Sequence, residues 1–210
     1  NKITKIAAGA NHTVLLSEDN KVYNLGYNGY GQLSQGNTTT YKLPVEAKEI
    51  NGNSITDATD IVAKQHSTAI IRNDKSVWTV GYNAYGASAD GSRTHNNKFI
   101  KMLGEYGQGE FENAILVALT NNSSLVADEA GKVYTAGYNG YGQLGDKTKN
   151  TSYKLVGISQ VSLDVEEPII IMNNIEETKD IKAKMNLGFN ILYNNLDGAT
   201  YKYNSINKNI

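Results

Sequence analysis

The chain has no cysteine, only two prolines among its 210 residues, and no long apolar stretch. Without cysteine it can form no disulfide bond, no thiolate metal site and no cysteine nucleophile. The apolar runs are far shorter than the roughly 18 residues of a membrane-spanning helix, and residues 1–10 lack the apolar core of a signal peptide. We therefore predict no membrane insertion. Because the first residue is not Met, upstream sequence is left open.

An excess of charge of one sign is also missing. Lysine and arginine total 20 against 21 acidic residues, which gives a net charge of -1, and no block of like charge occurs. Proteins that bind nucleic acid display a basic patch that neutralises phosphates. We therefore predict that nucleic acid is not a partner.

Motifs for catalysis or metal binding are absent as well. The chain has no Gly-x-Ser-x-Gly, no His-Glu-x-x-His, no phosphate-binding glycine loop and no EF-hand loop. His12 and His66 begin similar strand-like runs, so we predict that they occupy equivalent repeat positions with a structural role, and no histidines are spaced as metal ligands. We therefore predict no catalytic residue, no metal and no cofactor.

An internal repeat is the main feature that the sequence does contain. A Gly-Tyr-Asn-Gly-Tyr-Gly-Gln-Leu motif at residues 26–33 recurs after 55 and then 56 residues, with Ala84 and Ala87-Ser88 replacing three of its residues in the middle copy. Its glycines mark sharp turns or close backbone approaches, and we assign this structural role to Gly26, Gly31, Gly81, Gly86, Gly137 and Gly142.

Each copy contains four runs typical of β-strands and no helical periodicity. The first runs, 6–8, 61–63 and 116–118, combine small and branched apolar residues, which suits strands buried on both faces. The second, third and fourth runs are 12–16, 22–25 and 43–47 in the first copy, with counterparts in the other two. Four short antiparallel strands per repeat predict the blades of an all-β propeller.

These motifs resemble the repeat of the regulator-of-chromosome-condensation (RCC1) family. The resemblance covers residues 1–156, in repeats of about 1–50, 51–111 and 112–156. It implies a β-propeller, which in this family usually has about seven blades. Three blades cannot close a ring, so we predict an incomplete ring that is either a fragment of a longer propeller or self-associates through its open blade edges.

The repeat ends near residue 157, and residues 157–210 show a different pattern. Strand-like runs at 161–165, 168–172, 181–185 and 199–204 resemble the first half of a bacterial immunoglobulin-like domain. The resemblance implies a partial β-sandwich and a modular protein at the surface of a bacterium or in the extracellular space.

The tyrosines of the repeated loops are the best candidates for ligand binding. Tyrosine offers a wide contact area at low entropy cost, and residues just before the second strands should face the same rim. The candidate set is Tyr27, Tyr82, Tyr138, Asn11, Gln65 and Asn121. The second tyrosines of the loops, Tyr30, Tyr85 and Tyr141, are predicted instead to wedge between blades as packing residues, and the first tyrosines are either exposed or packed in the same way.

We therefore expect a non-catalytic module that binds another protein through its rim loops. One alternative is a carbohydrate-binding or glycan-processing propeller, in which Asp90 and Asp146 would supply loop carboxylates. A second alternative is a structural spacer of an adhesin, whose rim binds nothing.

Overall fold

The computed structural model describes residues 2–158 and three short strands beyond them, at 162–165, 183–186 and 192–194. The chain divides into two compact units, residues 1–158 and 159–210. The division lies two residues beyond the boundary predicted from the end of the repeat. Every regular element in the described residues is a β-strand, and these residues contain no helix that could cross a membrane.

The first unit contains three four-stranded antiparallel sheets, blades 1 to 3, whose strands neighbour one another in chain order. Blade 1 consists of β1 (Ile3–Ala8), β2 (His12–Ser17), β3 (Val22–Gly26) and β4 (Tyr41–Glu46). Blade 2 consists of β5 (Ala58–Lys64), β6 (Ser67–Arg72), β7 (Val77–Gly81) and β8 (Asn96–Lys101). Blade 3 consists of β9 (Ala114–Leu119), β10 (Ser123–Asp128), β11 (Val133–Gly137) and β12 (Ser152–Gly157). The predicted all-β class and its four-stranded blades are confirmed.

The core lies between the blades, because alternate residues of each strand point to opposite faces of the sheet. In β6, Ala69 and Ile71 belong to the cluster shared with blade 3, whereas Ile70 between them belongs to the cluster shared with blade 1. Phe99 in β8 is fully buried in the cluster between blades 1 and 2. The middle blade is therefore covered by apolar residues on both faces.

The first strands are less buried than the sequence predicted. Ile6 in β1 is 71% exposed and Leu116 in β9 is 61% exposed, while Ile61 in β5 is buried. The three first strands lie beside one another, β1 next to β5 and β5 next to β9, as expected at the inner edge of a propeller. The prediction of burial on both faces is wrong for β1 and β9. These strands belong to the two end blades, and no described strand lies against the outward face of either blade.

The outer edges of blades 2 and 3 are each joined by the preceding blade. Glu49, which follows β4, forms a parallel bridge with Phe99 of β8, and Glu105 repeats the bridge with Leu155 of β12. The first connection is anchored by Arg72, whose Nη1 lies 2.6 Å from a carboxylate oxygen of Glu49. The edges of β8 and β12 are thus partly covered by a neighbouring segment.

The second unit contains a three-stranded antiparallel sheet in the order β13-β14-β15, with β13 at Ser162–Val165, β14 at Ala183–Asn186 and β15 at Leu192–Asn194. The predicted runs 161–165 and 181–185 overlap β13 and β14, while 168–172 and 199–204 lie outside the described residues. Three strands fall short of a sandwich, so the immunoglobulin-like resemblance stays a prediction.

The two histidines predicted to be equivalent occupy different repeat positions. His12 pairs with Gly26, whereas Ser67 pairs with Gly81, so Ser67 is the counterpart of His12 and His66 precedes β6 by one residue. A shift of one residue in a strand reverses the direction of the side chain. The predicted equivalence is therefore wrong.

His12 links blades 1 and 2. The residue is 3% exposed, and its Nε2 lies 2.9 Å from the hydroxyl of Thr68 on β6. Gly9 makes room for the ring, because a Cβ at that position would stand 2.1 Å from Cε1 of His12. Burial, with a smaller contribution from His66, lowers the pKa of His12 from 6.5 to about 4, so the folded protein holds this ring neutral.

We predict that His12 makes the protein less stable as the pH falls from 6.5 towards 4. In that interval the unfolded chain binds a proton at His12 that the folded protein does not, so the free energy of unfolding decreases, by about 3 kcal/mol for a shift of this size. Urea denaturation at pH 7 and pH 4.5 measures the change. The carboxylates contribute their own pH dependence, so the same pair of measurements on His12→Gln is the control. An equal pH dependence in both proteins would contradict the assignment.

Candidate functional site: a rim of tyrosine and histidine rings

Each repeat presents its first loop tyrosine through the same backbone hydrogen bond. The third strand ends at a glycine with positive φ, 105° at Gly26, and the next residue donates its N–H to the carbonyl of the residue before the second strand. The donor–acceptor pairs are Tyr27 with Asn11 at 2.8 Å, Tyr82 with His66 at 3.0 Å, and Tyr138 with Asn122 at 2.9 Å. This bond brings the predicted residue Asn11 next to Tyr27, and places Gln65 and Asn121 one residue away from the other two bonds.

A buried asparagine holds the loop that follows. Oδ1 of Asn28 accepts the N–H of Leu33 at 2.9 Å, and its Nδ2 donates to the carbonyl of Asn37 at 3.0 Å. Asn83 and Asn139 accept the N–H five residues later at 2.9 Å and donate to the carbonyl nine residues later. All three asparagines are fully buried. We call this arrangement the asparagine bracket.

The loops join eight aromatic rings into one connected array across the three blades. We call this array the tyrosine rim, and its members are Tyr27, Tyr30, His66, Tyr82, His95, Tyr85, Tyr138 and Tyr141. Between blades 1 and 2, the centroid of Tyr30 lies 5.1 Å from that of Tyr82 in an edge-to-face contact. Between blades 2 and 3, Tyr85 repeats this distance with Tyr138. Such contacts stabilise by about 1 kcal/mol each beyond the area they bury.

Exposure differs along the rim in a way that neither sequence interpretation anticipated. Tyr27 is 40% exposed and Tyr141 is 86% exposed, although they were placed in different classes. The partly buried tyrosines are Tyr30, Tyr82, Tyr85 and Tyr138. Among the tyrosines, position at the end of the array, and not first or second place in the loop, therefore decides how much of a ring reaches solvent.

The junction of blades 1 and 2 is the richest part of the rim. His95 stacks on Tyr82 with centroids 4.9 Å apart, and its Nδ1 accepts the N–H of Asn83 at 3.0 Å. His95 is an exposed residue, but partial desolvation of its ring lowers the pKa, which keeps Nδ1 available as an acceptor at neutral pH. His66 also lies here, with its centroid 4.9 Å from that of Tyr30.

Two polar atoms at this junction have no hydrogen-bond partner among the described residues, Nδ1 of His66 and Nε2 of Gln32. Gln32 is fully buried, and its Oε1 accepts the N–H of Tyr30 at 3.0 Å, so its Nε2 lies close to the backbone of that residue. Buried polar atoms are normally paired, and an unpaired one costs about 1–3 kcal/mol. A buried amide donor and a buried ring nitrogen thus lie unpaired beneath the rings.

The carboxylates of the loops accept hydrogen bonds from the asparagines of the brackets. Nδ2 of Asn83 lies 3.2 Å from Asp90, and Nδ2 of Asn139 lies 3.0 Å from Asp146. Burial alone would raise the pKa of Asp146, but hydrogen bonds from Thr148 and Asn139 outweigh it and the pKa is lowered. A general acid needs the opposite shift. In the part of the chain that the structure describes, no group of three acidic or histidine side chains could hold a metal ion.

His95 is a rim residue that the sequence does not single out, and His66 occupies a different repeat position from the one predicted for it. His66 precedes its loop glycine by 15 residues, whereas His12 precedes its own by 14, and that difference signals a change of position. For His95 the sequence contains no comparable signal. Its place in the rim depends on how the loop between β7 and β8 folds, which the spacing of residues does not reveal.

Replacing a bracket asparagine should destabilise the fold. In Asn83→Ala the buried N–H of Ser88 loses its acceptor, so we expect a loss of about 2 kcal/mol in the free energy of unfolding. Urea denaturation measures this loss. Asn73→Ala is the matched control, since Asn73 is an exposed residue of the β6–β7 turn. The bracket would lose its assigned importance if the two variants were equally stable.

Comparison with known proteins agrees with this geometry. Two family models, both described as the regulator of chromosome condensation (RCC1) repeat, match residues 3–32 and 19–70. The human E3 ubiquitin-protein ligase HERC2 is 28% identical over 71% of this chain, which spans 3% of its length. The ultraviolet-B receptor UVR8 of Arabidopsis thaliana is 26% identical over 69% of the chain, which spans 31% of its length.

Solved structures share the fold. Human WBSCR16 superposes with a TM-score of 0.63 at 19% identity, covering 74% of this chain and 37% of its own. Yeast RCC1 (Prp20), solved bound to Kap60, gives a TM-score of 0.62 at 18% identity, covering 76% of this chain and 37% of its own. The chain thus spans well under half of each of these proteins. Its repeated motif, its four-stranded blades and these matches together show that the chain carries RCC1 repeats folded as propeller blades.

Proposed function

We propose that residues 2–158 form a non-catalytic module that binds another protein on the tyrosine rim. The observation that carries the proposal is the junction of blades 1 and 2. Five rings meet there, Tyr27, Tyr30, His66, Tyr82 and His95.

The chemistry of this junction suits a polypeptide. Tyrosine and histidine combine a flat apolar surface with a polar atom, and such residues are enriched among those that dominate protein interfaces. The ring contacts hold the surface rigid before binding, which lowers the entropy cost of association.

The solved relatives support a protein as the class of partner. The yeast RCC1 structure contains Kap60, and a second study of Prp20p names its binding to Gsp1p and histones. Those partners belong to those proteins. This chain spans 37% and 39% of the two, so we carry over the class of partner and not its identity.

A glycan-processing function is less well supported, because the loop carboxylates are occupied. Asp90 and Asp146 accept hydrogen bonds within their own loops. The pKa of Asp146 is lowered, which disfavours a role as proton donor. Carbohydrate binding without hydrolysis and a spacer role remain as outcomes of the experiment below. The bacterial surface setting stays a prediction, since it rests on the resemblance of residues 157–210 alone.

A random-peptide display library and a glycan array, both probed with the full chain, test the proposal. We expect enriched peptides, and we expect His66→Leu and His95→Leu to weaken their binding at least about tenfold. Each substitution replaces the histidine ring with an apolar side chain of similar bulk and so removes the ring nitrogens. Affinity is measured by titration at a protein concentration at which the chain is a single copy.

Tyr106→Ala is the control, since Tyr106 is a 61% exposed tyrosine outside the rim. Peptides that bind all variants equally would contradict the rim as the site. Glycans that bind in a His95-dependent manner, with no peptide enriched, would replace the protein partner with a carbohydrate. No binding to either library would favour the spacer.

A further inference from the structure

The two junctions between blades are built by the same two residues of the loop. The second tyrosine of one blade contacts the first tyrosine of the next, Tyr30 with Tyr82 and Tyr85 with Tyr138, both at 5.1 Å. The glycine that follows the second tyrosine lies against the outer strand of the next blade. Each blade therefore has a tail side, which carries this tyrosine and glycine, and a head side, which receives them.

The glycine is required by the space at each junction. A Cβ on Gly31 would stand 2.5 Å from Cα of Asn97, and a Cβ on Gly86 would stand 2.6 Å from Cα of Tyr153. Side chains do not tolerate such distances from backbone atoms, so only glycine allows the next blade to approach this closely. Asn97 and Tyr153 are equivalent residues, each following the partner of the third-strand glycine.

Blade 3 carries the same tyrosine and glycine on its tail side, and among the described residues they meet no further blade. Tyr141 is 86% exposed, and a Cβ on Gly142 would meet only the carbonyl of Thr148, 3.8 Å away. The φ of 78° at Gly142 favours glycine by itself, but the exposure of Tyr141 has no such local explanation. Val133 on this face is half-buried, whereas its equivalent Val77 is fully buried.

Blade 1 has the complementary head side. Tyr27 corresponds to Tyr82 and is 40% exposed, and Lys42 corresponds to Asn97 because it follows the partner of Gly26. Leu15 on the same face is half-buried, whereas its equivalent Ile70 is fully buried. At these positions the end face of blade 1 therefore corresponds to the faces that receive the tyrosine and glycine in blades 2 and 3.

We propose that the occupant of these faces is a second copy of this chain, docked head to tail. Tyr141 of one copy packs on Tyr27 of the next, and Gly142 lies against the strand around Lys42, continuing the two junctions already present. Such a contact uses different faces of the two copies, so it ends when the copies close a ring and otherwise extends into longer arcs.

We expect the proposed contact to be weaker than the junction of blades 1 and 2, because one interaction of that junction has no counterpart. Phe99 donates its N–H to Oγ of Ser34 at 2.9 Å and to the carbonyl of Lys48 at 3.3 Å, and the equivalent residue in blade 1 is Pro44, which has no N–H. The assembly should therefore depend on concentration within an accessible range.

Light scattering on the full chain over about a hundredfold range of concentration tests the proposal. We expect the mass to rise from one copy to two or more. Gly142→Asn should hold the protein at one copy, since asparagine tolerates positive φ but its side chain would overlap the docked strand. Gly52→Asn is the matched control, because Gly52 has a φ of 90° with no neighbour within 4 Å, and it should assemble as the unmodified chain does.

A mixing experiment separates blocked docking from damaged folding. Gly142→Asn keeps its head side and Tyr27→Arg keeps its tail side, so each variant alone should remain a single copy and their mixture should form a dimer. A single copy at all concentrations of the unmodified chain would overturn the proposal. Full assembly of Gly142→Asn, or a mixture that forms no dimer, would overturn it as well.

Discussion

The hydrogen bonds of one buried asparagine per repeat support the rest of this structure. The side chains of Asn28, Asn83 and Asn139 replace backbone partners for a loop of about ten residues that has no strand of its own. With the loop fixed, its two tyrosines and its second glycine take the same positions in every blade. Those positions determine how closely blades pack and which rings meet at the rim.

Much of this architecture can be predicted from the sequence, because repetition reports constraints that every blade shares. The loop glycines recur since Gly31 and Gly86 lie against the next blade. The four-strand pattern follows from short runs of branched and aromatic residues separated by polar turns. Burial that depends on the presence of a neighbouring blade cannot be predicted from repetition. Ile6 and Leu116 look like core residues in the sequence and are exposed, because burial is decided by a neighbour and not by the residue.

The candidate site was predictable in part, for the same reason. The tyrosines of the loops stand out as repeated aromatics, but ring contacts arise between blades, from residues about 50 positions apart such as Tyr30 and Tyr82. His66 and His95 occur in a single blade each, so repetition does not reveal them. The tyrosines of the rim repeat from blade to blade, whereas the histidines do not. The histidines therefore give the junction of blades 1 and 2 a chemistry of its own, by which a partner can distinguish it from the junction of blades 2 and 3.

The central claim is that the asparagine brackets hold the rim in place before any partner binds. Amide hydrogen exchange of the free protein tests this most directly, at the N–H groups of Leu33, Ser88 and Leu144, which the brackets accept. The account predicts protection comparable to that of the central strand amides, because an exchange event requires opening of a buried loop. Exchange as fast as that of an exposed loop amide would contradict it, since the rim would then form only upon binding.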